Sequence, residues 1–148
     1  EGMAKTGRTR ETFEITGGGF VATGETDEEV DKIAEWVRYR IAFYGSTPSY
    51  WPVFEHHGHG DLGRKLNKMT KEGKWDQIAA EIPDDVLHDF AAIARYDQLQ
   101  TAVEKRFGGA ADAIYASTSQ DIRPAIPAEV LQDMARIPTA FQGFSKLW

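Results

Sequence analysis

Apolar positions recur along this chain with two different periods. Between Phe13 and Thr23, the residues Phe13, Ile15, Phe20, Val21 and Ala22 surround Gly17-Gly18-Gly19. The segment reads as a strand, and three glycines in a strand mark a bulge or a place where something else comes close to the backbone. After Thr26 the period changes. Val30, Ile33, Ala34, Val37 and Ile41 fall at i, i+3, i+4, i+7 and i+11, the single apolar face of a helix. Thr26 and Glu29 have the spacing of a capping box, and Asp27, Glu28 and Glu29 suit a positive helix N-terminus. Tyr44-Gly45, ahead of Pro48, predicts the helix end.

Residues 46–82 carry no strand pattern. Two short helical patterns, around Leu62–Lys71 and Trp75–Ile82, follow a turn-rich aromatic segment. Asp84–His88, after Pro83, predicts another short helix. Residues 46–88 therefore read as a helical insertion. Phe90–Ala94 is a short apolar run, read as a buried strand. Asp97 is the expected cap of a helix carrying Leu99, Ala102, Val103 and Phe107, stopped by Gly108-Gly109. Ala113–Ala116 reads as a third strand, and Pro127 opens a last helix with Val130, Leu131, Met134 and Ala135. Strands alternating with helices predict an α/β fold with parallel strands. Three such strands leave edges and part of a face uncovered. Gly2–Lys5, stopped by Gly7, looks like a helix tail. With Glu1 in first place, the chain is expected to be part of a longer protein.

Composition narrows the function. The chain has 148 residues, 41% hydrophobic and 27% charged, and no cysteine. That is globular composition, and it excludes disulfide scaffolds, thiolate metal sites and thiol nucleophiles. A net charge of −6 argues against a phosphate-tracking nucleic-acid surface. No apolar run approaches the roughly 20 residues of a membrane span. The expected location is cytoplasmic, with no membrane partner.

Ile41-Ala42-Phe43-Tyr44-Gly45-Ser46-Thr47-Pro48-Ser49-Tyr50, with Val53, Phe54, Gly58 and Asp61-Leu62, resembles the C-terminal half of the luciferase-like flavin and deazaflavin oxidoreductases. The branch using the deazaflavin coenzyme F-420 is the most similar. Leu66-Asn67, Gly73-Lys74-Trp75-Asp76, Ile82, Asp85-Val86-Leu87 and Phe90–Ile93 extend the likeness, which runs from about Gly7 to Tyr115. The resemblance implies that the whole chain, residues 1–148, is the C-terminal part of a (β/α)8 barrel, about three βα units plus the insertion. It implies hydride transfer between F-420 and a small organic substrate, or FMN-dependent oxygenation in the luciferase branch. It also implies a partner, either the remaining N-terminal barrel portion or another chain, and a homo-oligomer. The family's Gly-x-Pro-Asp/Glu turn after its seventh strand is replaced here by Ala94-Arg95-Tyr96-Asp97-Gln98, where Arg95 offers a cation.

Tyr44, Ser46, Thr47 and Tyr50 are the first pocket candidates, as hydroxyls in a loop past a helix end. Ser, Thr and Pro are equally common turn formers. Trp51 lies in the same loop, and Arg95 completes the pocket set. His56, His57 and His59 are close in sequence, but adjacent side chains rarely converge on one ion, so no metal site is expected. His57, at the family's histidine-glycine position, is the expected catalytic proton donor. Gly17-Gly18-Gly19 lacks phosphate-loop spacing. A non-catalytic binding or assembly module, and a metal hydrolase built on the histidines, are the rival readings. The apolar tail Phe141–Trp148 is a candidate docking segment.

Overall fold

The computed structural model describes residues 2–116 and 125–143. Residues 144–148 of the candidate docking tail lie outside them. Chain order is α1 (Gly2–Lys5), β1 (Thr16–Gly24), α2 (Asp27–Gly45), α3 (Trp51–His56), α4 (Gly60–Lys71), α5 (Asp84–Phe90), β2 (Ala91–Arg95), α6 (Leu99–Phe107), β3 (Ala113–Ala116) and α7 (Ala128–Met134). The expected alternation is present, and the insertion is built of helices with 3-10 turns at Pro48–Tyr50 and Ile78–Glu81; the pattern expected as a helix at Trp75–Ile82 forms turns and only the second of these 3-10 elements. Gly7 has a φ of 66°, and the Arg8 amide closes onto the Met3 carbonyl at 3.0 Å.

Helix α2 organises one side. The Thr26 hydroxyl accepts from the Glu29 amide at 3.3 Å, while the Glu29 carboxylate accepts from the Glu25 amide at 2.7 Å. The reciprocal bond of the capping box thus lands one residue earlier than the pattern predicts. All five residues of the predicted apolar face are buried. Ile33, Ala34, Val37 and Ile41 pack with Ala22 and Ala91 of the sheet and with Phe54, Leu66, Ile78 and Ile82 of the insertion. Arg38 fastens the insertion to α2 by donating to the Ile82 carbonyl and to Asp84.

All strand pairing is parallel, but the order is β2-β1-β3. Phe20–Gly24 of β1 pair with Ala91–Arg95, and Thr16–Gly19 pair with Ala113–Ala116 on the other edge. Consecutive barrel strands would instead lie in the order β1-β2-β3. Here the long β1 has a second edge that no other described strand occupies, and β3 satisfies its backbone groups. The two crossovers then run in opposite directions across the sheet. Right-handed crossovers of opposite direction must cover opposite faces. Accordingly, α2 lies on the face of Ala22 and Ala91, and α6 and α7 lie on the face of Val21 and Ala92 through Leu99, Val103 and Val130.

The glycine run shows no register offset, so there is no bulge. Close approach is the operative reason at Gly19, where a Cβ would stand 2.6 Å from the Phe107 ring. The strand also begins at Thr16 rather than Phe13. Arg10 donates to the Phe13 carbonyl at 2.7 Å, and the Ile15 amide donates to Asp112 at 2.7 Å, so side chains take the backbone groups that a ladder would use. Asp97 does not cap α6. It sits in the Tyr96–Gln98 turn, Gln98 holds the cap position without a side-chain bond, and the Asp97 carboxylate faces Arg95 at 3.5 Å.

Asp112 is 3% exposed in its side chain. It accepts both oxygens' worth of Arg10 Nη2 at 2.9 Å, the Ile15 amide, and the Ala140 and Phe141 amides at 3.1 Å. The Ile15 amide first, then Arg10 and the Phe141 amide, hold this carboxyl below its ordinary value of 3.8, against the opposing effect of burial. A depressed carboxylate contributes stability that is complete above its unfolded value and is lost as pH falls through the folded one. Asp112→Asn is therefore expected to lower Tm at neutral pH and to reduce the loss of stability expected of the wild type below about pH 4, as read by thermal unfolding across pH. Gly19→Ala should cost about 1–3 kcal/mol in denaturant unfolding, and Phe107→Leu in the same chain should recover part of it.

Candidate functional site

The two ends of the sheet hold different chemistry. Helix α2 starts beside the C-terminal end of β1 and its 19 residues run back about 28 Å. Its last turn, and the loop after it, therefore stand at the N-terminal end of the strands. There Tyr44 and Tyr50 line a cavity of about 440 Å³ with Gly18, Gly19, Phe20, Ile41, Val53, Phe54 and Phe90. The two tyrosine rings meet edge to face at 5.1 Å, and Phe20 lies 6.2 Å from Tyr44. Arg40 donates to the Tyr44 hydroxyl at 3.0 Å and lies over the rings of Trp36, Phe43 and Tyr44. Gly18 and Gly19 leave the floor of the cavity without side chains.

The other loop candidates serve the chain itself. Ser46 is buried, donates its hydroxyl to the Phe43 carbonyl at 2.7 Å, and receives Asn67 on its own carbonyl at 2.8 Å. Thr47 is half-buried beside the 3-10 turn, its amide bonded to the Tyr44 carbonyl. Trp51 donates Nε1 to the Gly45 carbonyl at 3.1 Å and covers Gly63. These groups satisfy the C-terminal carbonyls of α2, which have no intrahelical partner.

His57 is half-buried, its ring 5.1 Å from Phe90, with Nδ1 3.8 Å from Asp89. His59 is closer to the same carboxylate, at 2.8 Å. Phe90 separates His57 from the cavity that it also lines. Among the described residues no group of three or more His, Asp or Glu is placed to hold a metal ion.

Arg95 lies at the opposite end. It is aligned with Gly24 at the C-terminal end of β2, and that strand's five residues at about 3.3 Å each put roughly 16 Å between it and the aromatic cavity. Its guanidinium faces Asp27 at 3.7 Å and Asp97 at 3.5 Å, beside a cavity of about 360 Å³ lined by Val30, Asp31, Ile93 and Gln98. The structure thus brings Tyr44, Tyr50 and the His57 neighbourhood together, and leaves Arg95 apart from them.

One residue of this end escaped the sequence pattern. Thr23 is 1% exposed, and its Oγ1 is buried without a hydrogen-bond partner. Its only signal in the sequence is a hydroxyl closing the apolar run Phe20-Val21-Ala22, which is also how an ordinary strand end reads.

A family model described as luciferase-like monooxygenase matches residues 1–113. The chain belongs to this family. The match stops at the first residue of β3. Uncharacterized protein Mb1395 of Mycobacterium bovis and uncharacterized protein Rv1360 of Mycobacterium tuberculosis are each 38% identical over 138 residues. Those alignments cover 91% of this chain and 39% of either relative, so the chain spans about two fifths of their length. No solved structure matches it significantly. No helix among the described residues is long and apolar enough to cross a membrane.

Members of the luciferase-like family are oxidoreductases that use flavin-type cofactors, F-420 or FMN. Such a group asks for a flat wall beside its ring, polar partners at the ring edge and positive charge at its phosphate. The sheet face of Gly19, Val21 and Thr23, with Ala92 and Ala94 beside them, provides small side chains for a flat wall. The phosphate finds nothing comparable. The first turn of α2 carries Asp27, Glu28 and Glu29, and Arg95 is already flanked by two carboxylates. Helices α6 and α7 cover that face through Leu99, Val103 and Val130, so the residues present fit neither the ring nor the phosphate.

If Trp51 is spent on α2, Trp51→Phe should keep the packing and lose one bond. Chemical denaturation should then show a loss of about 0.5–1.5 kcal/mol, while binding of FMN or F-420 by the complete protein stays unchanged.

Proposed function

We propose that this chain supplies the C-terminal βα units, with their helical insertion, of a luciferase-like barrel oxidoreductase. The reaction is hydride transfer between coenzyme F-420 and a small organic substrate. The family membership carries this reading, and two structural observations support it: a purely parallel sheet and a β2 edge left unpaired among the described strands. In a closed barrel that edge receives the next strand. The strands missing from this chain come from the remaining N-terminal portion or another chain, and the complete enzyme works as a homo-oligomer.

The deazaflavin, when bound, supplies the two-electron hydride chemistry. The chain's own part is to shape and dry the site. Barrel enzymes place ligands at the C-terminal end of their strands, which here is the end of Thr23, Gly24 and Arg95. The cores built on α2 and on α6 bury both faces of β1 and β2 and keep water from the sheet. Phosphate binding falls to the earlier strands, because the acids around α2 repel it. Arg95, offset by Asp27 and Asp97, meets a polar part of the substrate or cofactor. His57, beside Asp89, stands at the opposite end with the Tyr44–Tyr50 cavity, so its proton would serve a ligand of that cavity and not one at the strand end.

The aromatic cavity favours a second reading, that of a non-catalytic binding module. It is complete within this chain and asks for no further strand. FMN in place of F-420 is the alternative within the enzyme reading.

Titration of the protein expressed from its complete gene separates these. Saturable quenching of F-420 fluorescence is expected, and a shift in the FMN absorption band would select the alternative. Binding of neither overturns the enzyme reading. Binding of a fluorescent apolar probe that Tyr44→Ala and Tyr50→Ala abolish would then support the module.

A further inference from the structure

We propose that the aromatic cavity between α2 and α3 is a binding site for an aromatic carboxylate, whose ring lies among the tyrosines and whose carboxylate accepts from the Tyr44 hydroxyl. This rests on the binding reading of that cavity given above and names its ligand. The site is separate from the strand end where the enzyme reading places its cofactor.

Short-range sequence builds the cavity. Ile41 and Tyr44 are three residues apart on α2 and share a face. The 3-10 turn Pro48–Tyr50 brings the chain back, so that the Tyr50 ring meets the Tyr44 ring at 5.1 Å. Phe54 of α3 stacks on Phe90 at 5.1 Å. Strand side chains alternate between faces. Gly19 faces Phe107, so Gly18 faces the α2 side, and a Cβ added at Gly18 meets no atom within 4 Å. That open floor belongs to a space of about 440 Å³, within the ordinary size of a small-molecule site. No residue of β2, β3, α6 or α7 lines it. Rings on its walls suit a planar aromatic guest, edge to face or stacked.

The polar groups choose the guest's chemistry. Two phenols are the only polar side chains among the lining residues, and no carboxylate is among them. Arg40 donates Nη2 to the Tyr44 oxygen at 3.0 Å. A phenol offers one proton besides its lone pairs. With Arg40 on a lone pair, the proton is what Tyr44 offers, and no described residue accepts it. The guest therefore brings an acceptor. Arg40 sets the acceptor's charge. It is half-buried, its Nε is buried without a partner, and it lies over the rings of Trp36, Phe43 and Tyr44. Among the described residues no carboxylate pairs with it. A cation without a counter-ion, one hydrogen bond behind the Tyr44 oxygen, favours an anion in front of it. Arg40 acts through Tyr44 and is a positioning residue.

Two probes test this in the protein expressed from its complete gene. 2-Naphthoate and 2-naphthamide share a ring system and differ in charge. Naphthoate is expected to bind about tenfold more tightly, and saturating FMN or F-420 should leave its affinity unchanged. Tyr44→Phe should hold naphthamide within about threefold of the wild type and abolish the preference for naphthoate. Arg40→Met should cut that preference to about threefold or less. Gly18→Val should block both probes without lowering Tm, because its side chain enters open space. Equal affinities for the two probes, or a preference that survives Tyr44→Phe, overturn the carboxylate assignment and leave the cavity a binding site. Displacement by either cofactor, or undisturbed binding to a folded Gly18→Val variant, overturns the location. If neither probe binds, this inference and the binding reading fall together, and the enzyme reading stands on its own cofactor titration.

Discussion

The Asp112 carboxylate gathers three stretches of chain, two of which are also tied by the Gln142 amide donating to the Glu11 carbonyl at 2.8 Å. Arg10 comes from the segment before β1, the Ile15 amide from the approach to that strand, and the Ala140 and Phe141 amides from the segment after α7. Asp112 itself stands at the entrance to β3. Five donated bonds on a nearly buried carboxylate fix where β1 starts, where β3 starts and where the chain returns past both. Hydrophobic burial cannot set register of that kind, since it is non-directional. The Thr16–Ala113 pairing is three positions past Phe13 because the donors before it are already assigned. From that register follow the seat of β3, the direction of the second crossover and the face that α6 covers.

Much of this was legible in the sequence wherever one period dominated. The α2 face from Val30 to Ile41, the strandless insertion, and the short apolar strands at 91–95 and 113–116 all stand close to where their patterns put them. Those signals are local, and burial enforces them residue by residue. Strand order was not legible. Ala91–Ala94 and Ala113–Ala116 are both short runs of mainly alanine and isoleucine, and their sequences do not say which edge of β1 each takes. The Asp112 network was invisible for another reason. Its partners lie 102, 97 and 28 residues away, and no spacing rule connects them.

The candidate site was legible in part. Tyr44 and Tyr50 do line a common cavity, and Ser46 and Trp51 sit in the same loop, but as caps on a helix end. A loop past a helix C-terminus lies at the N-terminal end of parallel strands, since helix and strand run in opposite directions. Arg95 follows a strand and so stands at the far end. Residues from the two kinds of connection cannot meet around one small ligand in this sheet. The oxygen that the fold itself leaves without a partner, on Thr23, belongs to the strand-end set.

The glycine run has a mechanical side. β3 is attached to β1 along Thr16–Gly19, and three of those four β1 residues have no side chain. Along Gly17–Gly19 the two strands lack the cross-strand side-chain pairs that lock an ordinary ladder, and the side-chain anchoring of that half is concentrated at its entrance, on Asp112. The other half, Phe20–Gly24 on β2, carries side chains packed into both cores. One strand thus has a firmly bonded end and a peelable end. Once the Asp112 anchor gives way, load on this sheet separates β3 first and leaves the β1–α2–β2 unit whole.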